Sequence, residues 1–263
     1  MAYRWDRVSL EGFCESGVWG AGEPEYINVV SSVALVLAGL CVLYGNDFSS
    51  YTFSLVSSML VAAGVGSTLF HYKLMELYGS MDIVPILVLT YVGAFQITLC
   101  LINRIRRGER LHIVVDRTAS LITSGLMTLS LCDVGLNDFV GFRTFVTIPL
   151  CIILFCSYFH VCLIQLETTG DRRCRNYLLL GALVLTSSCL VWILTEPYCH
   201  DDGNGWIKYT FSHGVWHLGA AIGFYYIVVA HIWIYHRQMH VLQAWSTGAL
   251  SAVIPRVRFS TYA

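Results

Sequence analysis

The sequence predicts an all-α polytopic membrane protein with seven transmembrane helices, its N-terminus lumenal or extracellular and its C-terminus cytosolic. Three observations carry this expectation. Of 263 residues, 56% are hydrophobic and only 13% are charged, whereas soluble domains carry about 25% charge. Mean hydropathy is +0.63. Apolar segments long enough to cross a bilayer, about 20 residues each, recur along the chain with short polar connections between them. A net charge of −1 supplies no basic field for nucleic acid. The ten cysteines form no Cys-x-x-Cys pattern, which argues against a zinc ribbon or a thioredoxin-like motif.

Taken in order, the expected spans are Ile27–Gly45, Tyr51–Phe70, Met81–Ile102, Thr118–Leu131, Thr144–Ile164, Tyr177–Thr195 and Ile207–Tyr235. Asp116 and Arg117 cut the fourth short. The seventh is longer than a bilayer needs, so its first turns are expected outside the hydrocarbon or along a cavity. These spans use most of the chain. They leave residues 1–26 as a lumenal N-terminal segment, 27–236 as one membrane domain and 237–263 as a cytosolic tail. Met1–Glu25 has no apolar core, so no cleavable signal is expected.

Orientation follows from the positive-inside rule. Arg104, Arg106, Arg107 and Arg110 follow span three, Arg172, Arg173 and Arg175 follow span five, and Arg237, Arg256 and Arg258 lie in the tail. All fall on one face. The opposite face carries Asp133, Asp138, Glu196, Asp201 and Asp202, with Glu11, Glu15, Glu23 and Glu25 in the N-terminal segment.

Ionisable groups inside membrane helices are costly and by default mark a functional site. Ser67 and His71 are four residues apart at the end of span two, Asp82 opens span three, and His213 and His217 are four apart at the start of span seven. Residues four apart share a helix face. With orientation taken from arginines alone, all five fall at the lumenal depth. Three imidazoles from two helices suit zinc with a fourth position open to water, and Asp82 suits a base or a hydrogen-bond acceptor near that water. Set against this, a lone membrane histidine more often packs helices together, a Ser at a helix end usually bonds backbone, and Asp82 could simply cap its helix. His231 lies about 21 Å along its helix from His217, too far to share a metal. His236, His240 and His160 fall at the cytosolic end and read as interfacial or structural, while His200 is lumenal.

These residues resemble the alkaline ceramidases, a branch of the seven-span hydrolases that also include the adiponectin-type receptors. Gly64-Val65-Gly66-Ser67-Thr68-Leu69-Phe70-His71 is similar to that family's Gly-x-Gly-Ser-x-x-Phe-His, and His213-Gly214-Val215-Trp216-His217 to its His-x-x-Trp-His. Asp82 stands at the matching distance after His71. Phe13-Cys14-Glu15 and Glu25-Tyr26-Ile27-Asn28-Val29-Val30-Ser31-Ser32 stand where the family has Trp-Cys-Glu and Glu-Phe-x-Asn-Thr-x-Ser-Asn. The resemblance runs from about Gly12 to Tyr235. The receptor branch has the reverse orientation.

The resemblance implies a zinc-dependent amidohydrolase that splits ceramide-type membrane lipids into a sphingoid base and a fatty acid. His71, His213 and His217 would be zinc ligands, and Ser67 and Asp82 catalytic. An esterase or phospholipase on the same scaffold, or a seven-span lipid receptor, fits the same five residues. The family's calcium site maps onto Glu15 and Glu25, but two further positions that supply ligands there are Gly12 and Gly17 here. The alternative for Glu25 and Asn28 is capping of the first helix. The family pairing implies a Cys14–Cys199 disulfide, with Cys132 as the rival partner. It also implies the endoplasmic reticulum or the Golgi as location.

Overall fold

A computed structural model of the chain describes residues 13–20, 22–47, 51–75, 77–86, 89, 171–198, 207–238, 243–245 and 254–259. Among them the chain is mostly helical. In chain order the elements are α1 (Ser16–Trp19), α2 (Tyr26–Gly45), α3 (Tyr51–Lys73), α4 (Arg172–Thr195), α5 (Ser212–Gln238), β1 (Gln243–Trp245) and β2 (Val257–Phe259). A further helical stretch covers residues 77–86. Short 3-10 turns at Glu196–Tyr198 and Ile207–Thr210 lie between α4 and α5.

Among the described residues, four helices are long and apolar enough to cross a membrane: Tyr26–Gly45, Phe53–Lys73, Arg172–Thr195 and Ser212–Arg237. They correspond to the first, second, sixth and seventh expected spans, and the 77–86 stretch to the start of the third. The fourth and fifth spans lie outside the described residues, as do the Arg104–Arg110 loop, Asp133, Asp138, Cys132, His160 and His240.

Most span ends fall within three residues of the sequence expectation, and two starts differ by more. Helix α4 starts at Arg172 rather than Tyr177, because the Asp171 side chain accepts the Cys174 N–H at 2.9 Å and caps it. Arg172, Arg173 and Arg175 therefore sit in a helical turn rather than a loop. The seventh span divides into a 3-10 turn and α5, separated at Phe211, whose φ of 47° lies in the left-handed region.

Helix α2 packs against α3 and α5, and α4 packs against α5. The pattern of burial is inverted relative to a water-soluble helix. Helix α2 buries Asn28, Ser31 and Ser32 while Val30 and Tyr44 are 71% and 77% exposed. Helix α4 turns Leu183 and Leu194 outward. In water that arrangement would forfeit hydrophobic burial. Lipid tails accept the apolar faces and force polar groups inward. The core at mid-depth is apolar, built from Leu35, Val42, Leu60, Leu178, Val229 and Ile232.

The chain is not purely helical. Strands β1 and β2 pair antiparallel, with Ala244 opposite Arg258. The Val257 N–H donates to Asn46 Oδ1 at 2.8 Å and the Asp47 N–H to the Val257 carbonyl at 2.9 Å. Tyr225 Oη donates to the Pro255 carbonyl at 2.8 Å. The end of the expected tail thus docks on the turn after α2. Strands of three residues are too short to leave an alternating pattern in the sequence.

Candidate metal centre

The end of α3, the starts of α2 and α5 and the end of α4 meet at one end of the bundle. Helix α3 brings Ser67 and His71 there on one face, and α5 brings His213 and His217. Two close approaches depend on glycine. A Cβ on Gly66 would lie 2.4 Å from the Met81 carbonyl carbon and oxygen, so bare backbone at that point lets the 77–86 helix press against α3. That close approach brings Asp82, on the 77–86 helix, toward the Ser67 and His71 end of α3. A Cβ on Gly214 would meet Ile27 Cγ2 at 3.1 Å and Ser31 Oγ at 3.3 Å, so α5 lies tight against α2 between its two histidines.

His71, His213 and His217 are buried, and their ligand atoms all lie within 4.8 Å of one another. The ring centroids are 5.0 Å apart for His71 and His213, 5.1 Å for His71 and His217, and 4.4 Å for His213 and His217. His71 Nε2 and both ring nitrogens of His213 lack a hydrogen-bond partner among the described residues. Buried polar nitrogens left unpaired are costly, and a cation that takes their lone pairs removes that cost. The group fits a metal ion. Ser67 Oγ lies 3.3 Å from His217 Nε2 and 3.0 Å from Ser32 Oγ. The five residues singled out in the sequence are thus brought together.

The Nδ1 atoms of His71 and His217 are held. Glu25 bonds His71 twice: its N–H donates to the His71 carbonyl at 3.0 Å, and its Oε2 lies 2.6 Å from His71 Nδ1. That leaves Nε2 aimed inward, the arrangement that carboxylates impose on metal-binding histidines. Burial opposes ionisation of Glu25, but His71, Ser16 and Asn28 outweigh it and hold the carboxyl below its usual range. On the other side, Ser31 Oγ and Ser32 Oγ lie 3.0 and 3.2 Å from His217 Nδ1. Aromatic rings close the centre, with Phe13 stacked on His213 at 3.8 Å and Trp192 edge-on to it at 4.9 Å.

Calcium takes six to eight oxygen ligands, and among the described residues the Glu15 and Glu25 oxygens face hydrogen-bond donors. Glu15 Oε1 accepts from Trp19 Nε1 at 2.7 Å and from the Ile27 N–H at 2.5 Å, and Oε2 from the Asn28 N–H at 2.8 Å. It is the cap of α2, delivered from a preceding segment. Glu25 Oε1 accepts from the Phe13 N–H at 2.9 Å and from the Ser16 hydroxyl, and Oε2 from Asn28 Nδ2 at 3.2 Å and from His71. Among the described residues donors therefore face both carboxylates, while Oδ1 of Asn28, whose amide nitrogen bonds Glu25, is buried without a hydrogen-bond partner there.

Cys14 is buried; its N–H donates to Glu196 Oε1 at 2.7 Å and its Sγ lies 3.6 Å from the Glu196 carbonyl oxygen. Ser212 Oγ donates to the other Glu196 oxygen at 3.0 Å, so one carboxylate ties the N-terminal segment to the start of α5. Cys199 and His200 lie outside the described residues. Glu196, Phe13, Trp192 and the two serines were not singled out as site residues from the sequence. A signal for the serines existed: Glu25, Asn28 and Ser31 recur every three residues, a polar stripe on an apolar helix. His231 packs against Phe53 at 5.5 Å, at the opposite end of α5.

A family model for ceramidases matches residues 13–257 of the chain. A search of curated proteins finds no match.

Proposed function

The chain belongs to the ceramidase family, and from that premise we propose a zinc-dependent ceramidase whose reaction runs within the bilayer. Membership makes it a hydrolase of the amide bond of ceramide, with a lipid substrate. The observation that carries the proposal is the convergence of three buried histidines, with His71 Nε2 and the His213 nitrogens unpaired among the described residues, beside Asp82 and Ser67. Three imidazoles with an open fourth position are a catalytic zinc set. When bound there, zinc lowers the pKa of its water to about 7 and polarises a carbonyl.

The chain's own residues supply the rest. Asp82 accepts the proton released as the water oxygen bonds the carbonyl carbon. It returns that proton to the amide nitrogen as the carbon–nitrogen bond breaks, giving a fatty acid and a sphingoid base. Ser67 donates a hydrogen bond to the oxygen that gains charge; losing one such donor costs about 10²–10³ in rate. Glu25 orients His71, and Glu15 fixes the start of α2. No step passes through calcium.

The wider frame belongs to the same proposal. Seven spans place the N-terminus and the metal centre on the lumenal side and residues 237–263 in the cytosol, in the endoplasmic reticulum or Golgi. A Cys14–Cys199 disulfide fits the position of Cys14 against Glu196, three residues before Cys199. The test is hydrolysis of ceramides, with fatty esters and phospholipids as competing substrates, by purified wild type and Asp82→Asn. Wild type should release sphingoid base and Asp82→Asn should not, while keeping its metal. Equal activity of the two proteins, or turnover of esters alone, would overturn the reading.

A further inference from the structure

We infer that Ser31 and Ser32, on a helix that carries no metal ligand, set the tautomer and orientation of His217. The inference rests on the metal-centre reading above. The argument counts protons. Each serine hydroxyl has one hydrogen. Ser32 Oγ has the Asn28 carbonyl at 2.6 Å and Ser67 Oγ at 3.0 Å to donate it to, and Ser31 Oγ donates to the Asn28 carbonyl at 3.1 Å. Only lone pairs are then left on the two oxygens to face His217 Nδ1, 3.0 and 3.2 Å away. With the serine hydrogens placed on those acceptors, Nδ1 meets only lone pairs, which favours the tautomer with the hydrogen on Nδ1 and the lone pair on Nε2. Nε2 is the nitrogen on the Ser67 side.

The fold explains why serines perform this task. Helix α2 can reach His217 only because Gly214 lets α5 approach it, with Ser31 Oγ 3.3 Å from where a Cβ would stand. At that spacing a short hydroxyl spans the gap. Ser31 and Ser32 are buried and hydrogen-bonded within their own helix turn, so neither must be reoriented when the metal binds. They are positioning residues: they act on the reaction through His217. Helix α2 thus serves two ligands, through Glu25 for His71 and through the serine pair for His217.

The experiment uses the full chain purified in detergent. Zinc affinity is measured by competition with a chromophoric chelator for wild type, Ser31→Ala, Ser32→Ala and the double variant. Ser57→Ala is the control, since Ser57 is a buried serine on α3 whose hydroxyl donates within its own turn, to the Phe53 carbonyl at 2.7 Å. Removing outer partners of a metal ligand typically weakens binding about 10–100-fold. The double variant should fall in that range and Ser57→Ala should match wild type. Ser31→Thr in the Ser32→Ala background should recover most of the affinity, because it restores a hydroxyl. If the double variant does not accumulate, each single variant should still lose zinc severalfold. Zinc affinity within twofold of wild type in every serine variant would overturn this inference and leave the metal centre standing. Wild type that binds no metal would overturn both.

Discussion

The two ends of α5 carry the same residue type to opposite effect. At its start, His213 and His217 meet His71 from α3, with ligand atoms within 4.8 Å of one another. Toward its other end, His231 is equally buried, but its ring packs edge-on against Phe53, and His236 lies against Tyr235. No third ligand from another element joins them among the described residues. Two histidines on one helix are therefore not a metal site by themselves. Convergence from a second helix, with orienting groups behind the His71 and His217 rings, makes the difference. The same contrast separates the polar contacts. Around the metal centre they point nitrogens inward; around Asn46 and Asp47 they fasten the end of the chain to the bundle.

The contrast can be broken most severely at the metal end. His217→Ala should abolish both bound metal and ceramide hydrolysis, because two imidazoles do not complete a tetrahedral set. Elemental analysis of the purified variant checks this, and retained stoichiometric metal would break the comparison. Next in size is Glu25→Ala, which leaves the three ligands intact but frees His71 Nδ1. Metal affinity should fall about 10–100-fold, and adding calcium should not restore it, since donors already surround this carboxylate. Recovery by calcium alone would show that the carboxylates serve a cation instead.

At the other end the effects should be on stability alone. His231→Ala removes a buried ring packed on Phe53 and should cost about 1–3 kcal/mol, read as a lower midpoint of thermal unfolding with metal content unchanged. Loss of metal there would erase the distinction between the two ends. The smallest effect is expected at the Arg258–Asp47 ion pair, 2.9 Å long but partly exposed. Arg258→Ala should change stability by at most about 1 kcal/mol, as exposed pairs do, and less at high salt.

Much of the centre was legible in the sequence because membranes penalise polar side chains so heavily. Ser67, His71, Asp82, His213 and His217 stand out against apolar spans, and helical spacing with alternating span direction puts them at one depth. What supports them was harder to read. Glu15 caps α2 from a preceding segment, a contact that no periodicity encodes. Glu25 is visible as an acidic residue, yet whether it meets a cation or an imidazole depends on where α3 ends. Ser31 and Ser32 read as ordinary small residues until Gly214 brings α5 within reach. The ribbon of β1 and β2 left no signal because its strands are so short, and its anchors at Asn46 and Asp47 are far away in sequence.

X-ray absorption at the zinc edge, on active wild-type enzyme, tests the central claim most directly because it reads metal identity and ligand set together. The account predicts one zinc per chain, bound by three imidazole nitrogens at about 2.0–2.1 Å and an oxygen from water. An active enzyme with no zinc signal, or with sulfur among the nearest neighbours of the metal, would contradict it.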